Sequence, residues 1–266
     1  RDTSVTGVQT CALPIYSKSD PLNYRPISLT SILCKNLEHI IAHNIHAYLD
    51  KHQILYEHQH GFRNKHGCDT QLLNTITDFV NSYDSLSTLD LIILDFSKAF
   101  DVVSHPKLLF KIDQLGIHPN TRNWIKSWLE NRSHRVTVNG VTSSSKLVTS
   151  GVPQGSVLGP LLFLIYINDM PDSIYHSTLK LFADDSLLYH NIENHSDQSN
   201  LQTDLNNLIL WSQKWQMHFN ASKCETMRIT RSTSNITCPS YCINNTQLDS
   251  VDSVKYLGVN IDHKLN

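Results

Sequence analysis

The 266-residue sequence predicts an α+β domain. Three observations lead there. Stretches with apolar residues at helical spacing mix with short apolar runs of strand length, without a strict β-α-β alternation. Apolar residues form 40% of the chain and charged residues 17%, the balance of a globular core rather than a disordered segment. Two turn signals, Asn139-Gly140 and Asp184-Asp185, sit between short runs, as antiparallel hairpins require.

The elements follow in order. Pro26 pushes Arg25 out of the helical region, so residues 21–29 read as extended. Leu33, Leu37, Ile40, Ile41, Ile45, Tyr48 and Leu49 then recur at helical spacing, and residues 72–80 resume it after a loop around Gly61 and Gly67. Residues 89–96 (LDLIILDF) are too compact for a helix and read as a buried strand carrying Asp95 at its end. Residues 106–115 and 123–129 look helical, and residues 135–139 alternate into a hairpin. Residues 158–167 form an apolar core helix, too short at about half the ~20 residues a membrane span needs. Residues 178–183 and 186–190 pair across Asp184-Asp185. A helix follows over Leu201 to Trp215, and residues 227–229 and 254–258 supply the last strands.

Several function classes drop out. Six widely spaced cysteines make neither a disulfide scaffold nor a CxxC zinc framework. A net charge of −2 argues against a uniformly basic protein that coats nucleic acid. His39, His43 and His46 fall on adjacent helix turns, yet read as partly exposed helix residues rather than a metal site. Residues 5–15 (VTGVQTCALPI) resemble a translated sequencing adapter, and residues 1–15 are therefore set aside from fold reasoning.

The carboxylates carry the chemistry. A carboxylate at the rim of an apolar strand is costly unless something compensates it. Asp95, Asp184 and Asp185 on neighbouring strands offer hard oxygen donors that suit Mg²⁺. A lone Asp-Asp pair is more often a turn signal. The ordered context changes that weighting. LDFSKAFD (94–101), SGVPQGSVLGP (150–160) and FADD (182–185) occur in sequence, preceded by NYRPISL (23–29) and HGFR (60–63) and followed by Tyr256-Leu257-Gly258.

This set resembles the reverse transcriptases of non-LTR (LINE-type) retrotransposons, over residues 20–261. The resemblance implies the fingers and palm of a right-hand polymerase: fingers over residues 16–88, palm over 89–232, and the end of the palm with a primer-grip-like hairpin over 233–266. It implies an RNA-directed DNA polymerase that uses two Mg²⁺ ions, with Mn²⁺ as a substitute. Asp95, Asp184 and Asp185 would be the metal ligands. Phe100 would exclude the 2′-hydroxyl, Gln154 and Gly155 would contact the incoming nucleotide, and Arg63 would clamp its triphosphate. Lys223 would protonate pyrophosphate. Arg25, Gly151, Tyr256, Leu257 and Gly258 would touch nucleic acid. The implied partners are an RNA template, a DNA primer and deoxynucleotides, with no membrane. A thumb and an endonuclease are expected elsewhere in the parent element. The alternative is a silent remnant that at most binds nucleic acid.

Overall fold

The computed structural model describes residues 9–14, 24–138, 141–231 and 239–265. In chain order the elements are β1 (Gln9–Pro14), β2 (Tyr24–Leu29), α1 (Ile32–Lys51), α2 (Cys68–Asp84), β3 (Thr88–Leu94), α3 (Ala99–Val102), α4 (His105–Gln114) and α5 (Pro119–Leu129). Four two-residue strands follow: β4 (Ser133–His134), β5 (Thr137–Val138), β6 (Val141–Thr142) and β7 (Lys146–Leu147). Then come α6 (Leu158–Ile167), β8 (Thr178–Phe182), β9 (Asp185–Ile192), α7 (His195–Trp215), β10 (Glu225–Ile229), β11 (Cys242–Ile243), β12 (Thr246–Gln247), β13 (Asp249–Ser250), β14 (Ser253–Tyr256) and β15 (Val259–Asp262). The α+β class holds. No helix among the described residues is long and apolar enough to cross a membrane.

The chain forms two compact units, each from two stretches. The first comprises residues 1–55 and 100–166. Its α1 has the predicted period, but only part of the expected apolar set, Ile45 and Leu49, is fully buried. Glu38, Ala42, Ile45 and Leu49 are buried, while Leu33, Leu37 and Ile40 are exposed. The reason is a polar contact that apolar periodicity does not show. Glu38 is fully buried, and its Oε2 accepts the backbone N–H groups of Val157 (2.8 Å) and Leu158 (3.2 Å). These are the orphan donors at the start of α6, which a helix cannot satisfy internally. From Leu161 to Ile167 every residue of α6 is buried, as an all-round apolar helix requires.

Strand β1 pairs with β2, with Gln9 opposite Leu29 and Pro14 opposite Tyr24. Strands β5 and β6 pair with Val138 opposite Val141, which is the expected hairpin; its Asn139-Gly140 turn lies outside the described residues.

The second unit comprises residues 56–99 and 167–266, so residues 56–88, expected among the fingers, group with the main sheet. That sheet has the order β13-β10-β3-β9-β8, antiparallel except for β10 with β13. Its core gathers Phe79, Leu89, Leu91, Leu187, Tyr189, Met227, Ile229, Val254, Tyr256 and Ile261. On the other face of the same strands, Arg228 donates from Nε and Nη2 to the two Asp90 carboxylate oxygens (2.6 and 2.7 Å), and Tyr241 Oη donates to Asp90 Oδ2 (2.6 Å). Trp211 and Trp215 are core residues.

Candidate active site

Register brings the three carboxylates to one end of the sheet. Strands β3 and β9 are antiparallel, and their last rung pairs Leu94 with Ser186. Asp95 is the residue after Leu94, and Asp185 is the residue before Ser186. The two acids therefore leave the same end of two neighbouring central strands. Asp184 lies one residue further, in the two-residue turn Ala183-Asp184 that closes β8 onto β9 at the Phe182–Asp185 pair. Asp185 thus opens the second strand rather than occupying the tip. Asp95 and Asp184 are half-buried and Asp185 is exposed.

The donor chemistry suits a hard divalent cation, since all three groups are carboxylates. As placed, their side chains do not converge: among the described residues no three His, Cys, Asp or Glu groups are close enough to share an ion. Backbone register brings the residues together, and side-chain torsions set where their oxygens point.

Asp95 is braced from the far side. Its carbonyl accepts Asn220 N–H (2.8 Å), Ser97 N–H reaches His218 O (2.9 Å), and Phe96 pairs with Phe219 and stacks on it at 4.5 Å between ring centroids. Lys223 closes the short turn that follows Asn220 and is exposed. Cys224 lies behind Asp95, whose backbone N–H approaches its sulfur at 3.4 Å. Burial pushes that thiol up to about 11, so it stays protonated.

Arg63 also lies in this unit. Its Nη1 donates to the carbonyls of Tyr56 (2.8 Å) and Gln59 (3.1 Å) and so braces its own loop. His60 is buried and its Nδ1 meets Thr70 Oγ1 at 2.8 Å. Burial, with help from neighbouring His66 and Arg63, lowers its pKa to about 4. The unfolded chain binds this proton near pH 6.5 and the folded chain only near pH 4, so stability rises with pH between those values. We expect urea midpoints to climb across that window, and His60→Gln to flatten the rise by up to ~1.4 kcal/mol per pH unit. Equal pH slopes in both proteins would contradict the assignment.

Tyr256 corrects an expectation. It is 3% exposed, its hydroxyl accepts Gln71 Nε2–H at 3.1 Å, and burial pushes its pKa to about 12. Its side chain belongs to the core and is not available to nucleic acid. Leu257 and Gly258, both at positive φ, form the turn between the paired strands β14 and β15.

The other candidates lie in the first unit. The Phe100 ring is half-buried and stacks on Phe163 at 4.3 Å and 18°. Gln154 donates from Nε2 to Asp101 Oδ1 (2.9 Å), and its carbonyl accepts Ser28 N–H (2.7 Å). Asp101, to which the sequence assigned no chemistry, thus orients Gln154. Nothing in the spacing of 53 residues announces that bond. Gly151 brings a second correction. A Cβ there would stand 2.7 Å from Asp101 O, and φ is +85°, so the missing side chain makes room for the chain's own backbone rather than for a ligand. Gly155 is exposed. Arg25 lies in β2, with its side chain outside the described residues. His39 and His43 are exposed and His46 is half-buried.

The profile of the family described as "Reverse transcriptase (RNA-dependent DNA polymerase)" matches residues 16–261, and the chain belongs to that family. Among its relatives is the "Probable RNA-directed DNA polymerase from transposon X-element" of Drosophila melanogaster, 35% identical over 251 residues, covering 92% of this chain and 27% of the relative. The "RNA-directed DNA polymerase from mobile element jockey" of the same species is 32% identical over 255 residues, covering 93% of this chain and 28% of the relative. The chain therefore spans about a quarter of the length of these relatives. Apo telomerase from Candida tropicalis, truncated of its C-terminal domain, shares the fold at a TM-score of 0.65 and 13% identity, covering 98% of this chain and 54% of that one.

Proposed function

We propose that this chain is the fingers and palm of an RNA-directed DNA polymerase from a non-LTR retrotransposon, adding deoxynucleotides to a primer 3′-hydroxyl. The observation that carries the reading is the Leu94–Ser186 rung, which sets Asp95, Asp184 and Asp185 at one end of two central strands. These three would hold two Mg²⁺ ions, or Mn²⁺. Bound there, the ions would supply activation of the attacking hydroxyl and charge stabilisation of the leaving pyrophosphate.

The chain's own residues do the rest. The five-stranded unit is the palm. Phe100, backed by Phe163, presents a flat face under the deoxyribose and leaves no room for a 2′-hydroxyl. Gln154, held by Asp101, addresses the nucleotide beside exposed Gly155. Arg63 offers a planar guanidinium to the triphosphate, since such a group matches phosphate oxygens in a bidentate way. Lys223, next to the segment that braces Asp95, protonates the departing pyrophosphate. Arg25 and the Leu257-Gly258 turn contact the template–primer duplex. The partners are an RNA template, a DNA primer and deoxynucleotides, and the parent protein supplies a thumb and an endonuclease.

Primer extension on an RNA template with Mg²⁺, with the chain rejoined to its parent thumb, tests the activity. Extension supports the reading, and its absence would reduce the chain to a silent remnant. Phe100→Ala should raise ribonucleotide incorporation at least ~10-fold, because a lost steric contact of 1–3 kcal/mol is worth 10- to 200-fold in discrimination. Unchanged sugar selectivity would refute the gate.

A further inference from the structure

We infer that Gln59 is a positioning residue that holds the Asp184 turn and the Arg63 loop in fixed relation, an inference that rests on the metal reading of Asp184. The segment before Gly61 runs beside β8, the edge strand of the sheet. Gln59 makes a parallel bridge with Leu181, His60 N–H donates to Leu181 O (2.9 Å), and Leu181 N–H donates to His58 O (3.0 Å). The backbone of this loop thereby acts as a short sixth strand.

The Gln59 side chain continues past that pairing to the turn. It is 2% exposed. Its Oε1 accepts the N–H of Ala183 (2.8 Å) and of Gly61 (2.8 Å), and its Nε2 donates to Ala183 O (3.4 Å). One amide therefore brackets both backbone groups of the residue before Asp184. Ala183 has φ +54°, a left-handed conformation that a residue with a Cβ adopts only when its surroundings over-determine it. The Gln59 amide is that determinant, and the direction in which the chain enters Asp184 follows from it. Gly61 completes the fit. A Cβ there would fall 2.3 Å from Ala183 N, so the loop can lie against the turn only with glycine at this position.

The same residue reaches the candidate phosphate group. Gln59 O accepts Arg63 Nη1 at 3.1 Å. Through its side chain Gln59 sets Asp184, and through its carbonyl it sets Arg63. The residue thus fixes how a metal carboxylate and a triphosphate cation stand relative to each other, without touching substrate itself.

The test uses Mn²⁺ as the probe, with affinity read by water-proton relaxation on the full chain, alongside thermal unfolding. Gln59→Met keeps the volume and removes the amide; it should weaken Mn²⁺ binding ~10-fold or more, within the 10–100-fold range of groups that orient a metal ligand. Gln59→Glu keeps the acceptor oxygen for Ala183 N–H and Gly61 N–H, loses only the longer donor bond to Ala183 O, and should bind within about threefold of the parent. Should Gln59→Met fail to fold, Gln59→Asn, one methylene too short to reach Ala183, supplies the same comparison. Parent-like Mn²⁺ affinity in the Met or Asn variant, with Asp184→Ala losing it, would overturn the positioning role while leaving the metal reading intact. Equal loss in the Glu variant would also overturn it. A parent chain that binds no Mn²⁺ would remove the metal reading and the positioning role together.

Discussion

Asp184→Ala should lower primer extension on an RNA template by more than ~10³-fold, the upper range for deleting one group that stabilises transition-state charge. The expectation rests on position. Asp184 is held by the turn that closes β8 onto β9, at the same sheet end as Asp95 and Asp185. Asp184→Asn keeps the shape and removes the charge, and should fall nearly as far. Both variants should unfold near the parent temperature, because the side chain is only half-buried, in the turn between β8 and β9. Activity within tenfold of the parent would exclude Asp184 as a metal ligand.

The second large effect is on stability. Asp90→Ala should destabilise the second unit by about 3–5 kcal/mol, the usual result of breaking a buried ion pair from one side. Asp90 is fully buried, and its loss strands the Arg228 guanidinium and the Tyr241 hydroxyl together. The pair itself need not add stability over an apolar substitute, since burying two charges is costly. A double replacement, Asp90→Leu with Arg228→Met, should therefore recover most of the loss. Urea denaturation of the three proteins decides it; a loss under about 1 kcal/mol in Asp90→Ala would show the guanidinium finding water.

Much of the fold was legible because it is written in short-range patterns. The run LDLIILDF is a strand because nothing else fits so apolar a segment between its flanks, and the structure places β3 at the centre of the sheet. The helix over residues 158–167 and the helix ending at Trp215 were equally plain. The inward face of α1 was only partly so, because Glu38 turns inward for a partner 119 residues away. The site shows the same division. Asp184-Asp185 alone reads as a turn, and it does lie at one; only the order of the surrounding motifs pointed to chemistry. Resemblance placed Tyr256 and Gly151 at nucleic acid, whereas the structure occupies both with the chain's own atoms. Asp101 and Gln59 carried no sequence signal, since each works by orienting another group through a bond of long sequence separation.

The strand order β13-β10-β3-β9-β8 has a consequence for how the chain is made. Both neighbours of β3 lie far downstream, with Leu94 waiting for Ser186 and Ile93 for Glu225. At ~5–20 residues per second of synthesis, β3 stays without either neighbour for on the order of 5–20 s while the intervening chain emerges. During that interval it is a bare apolar strand with two open edges, the kind of segment that pairs with another copy of itself. The acidic end that defines the site thus closes late in synthesis, on the strand with the longest wait.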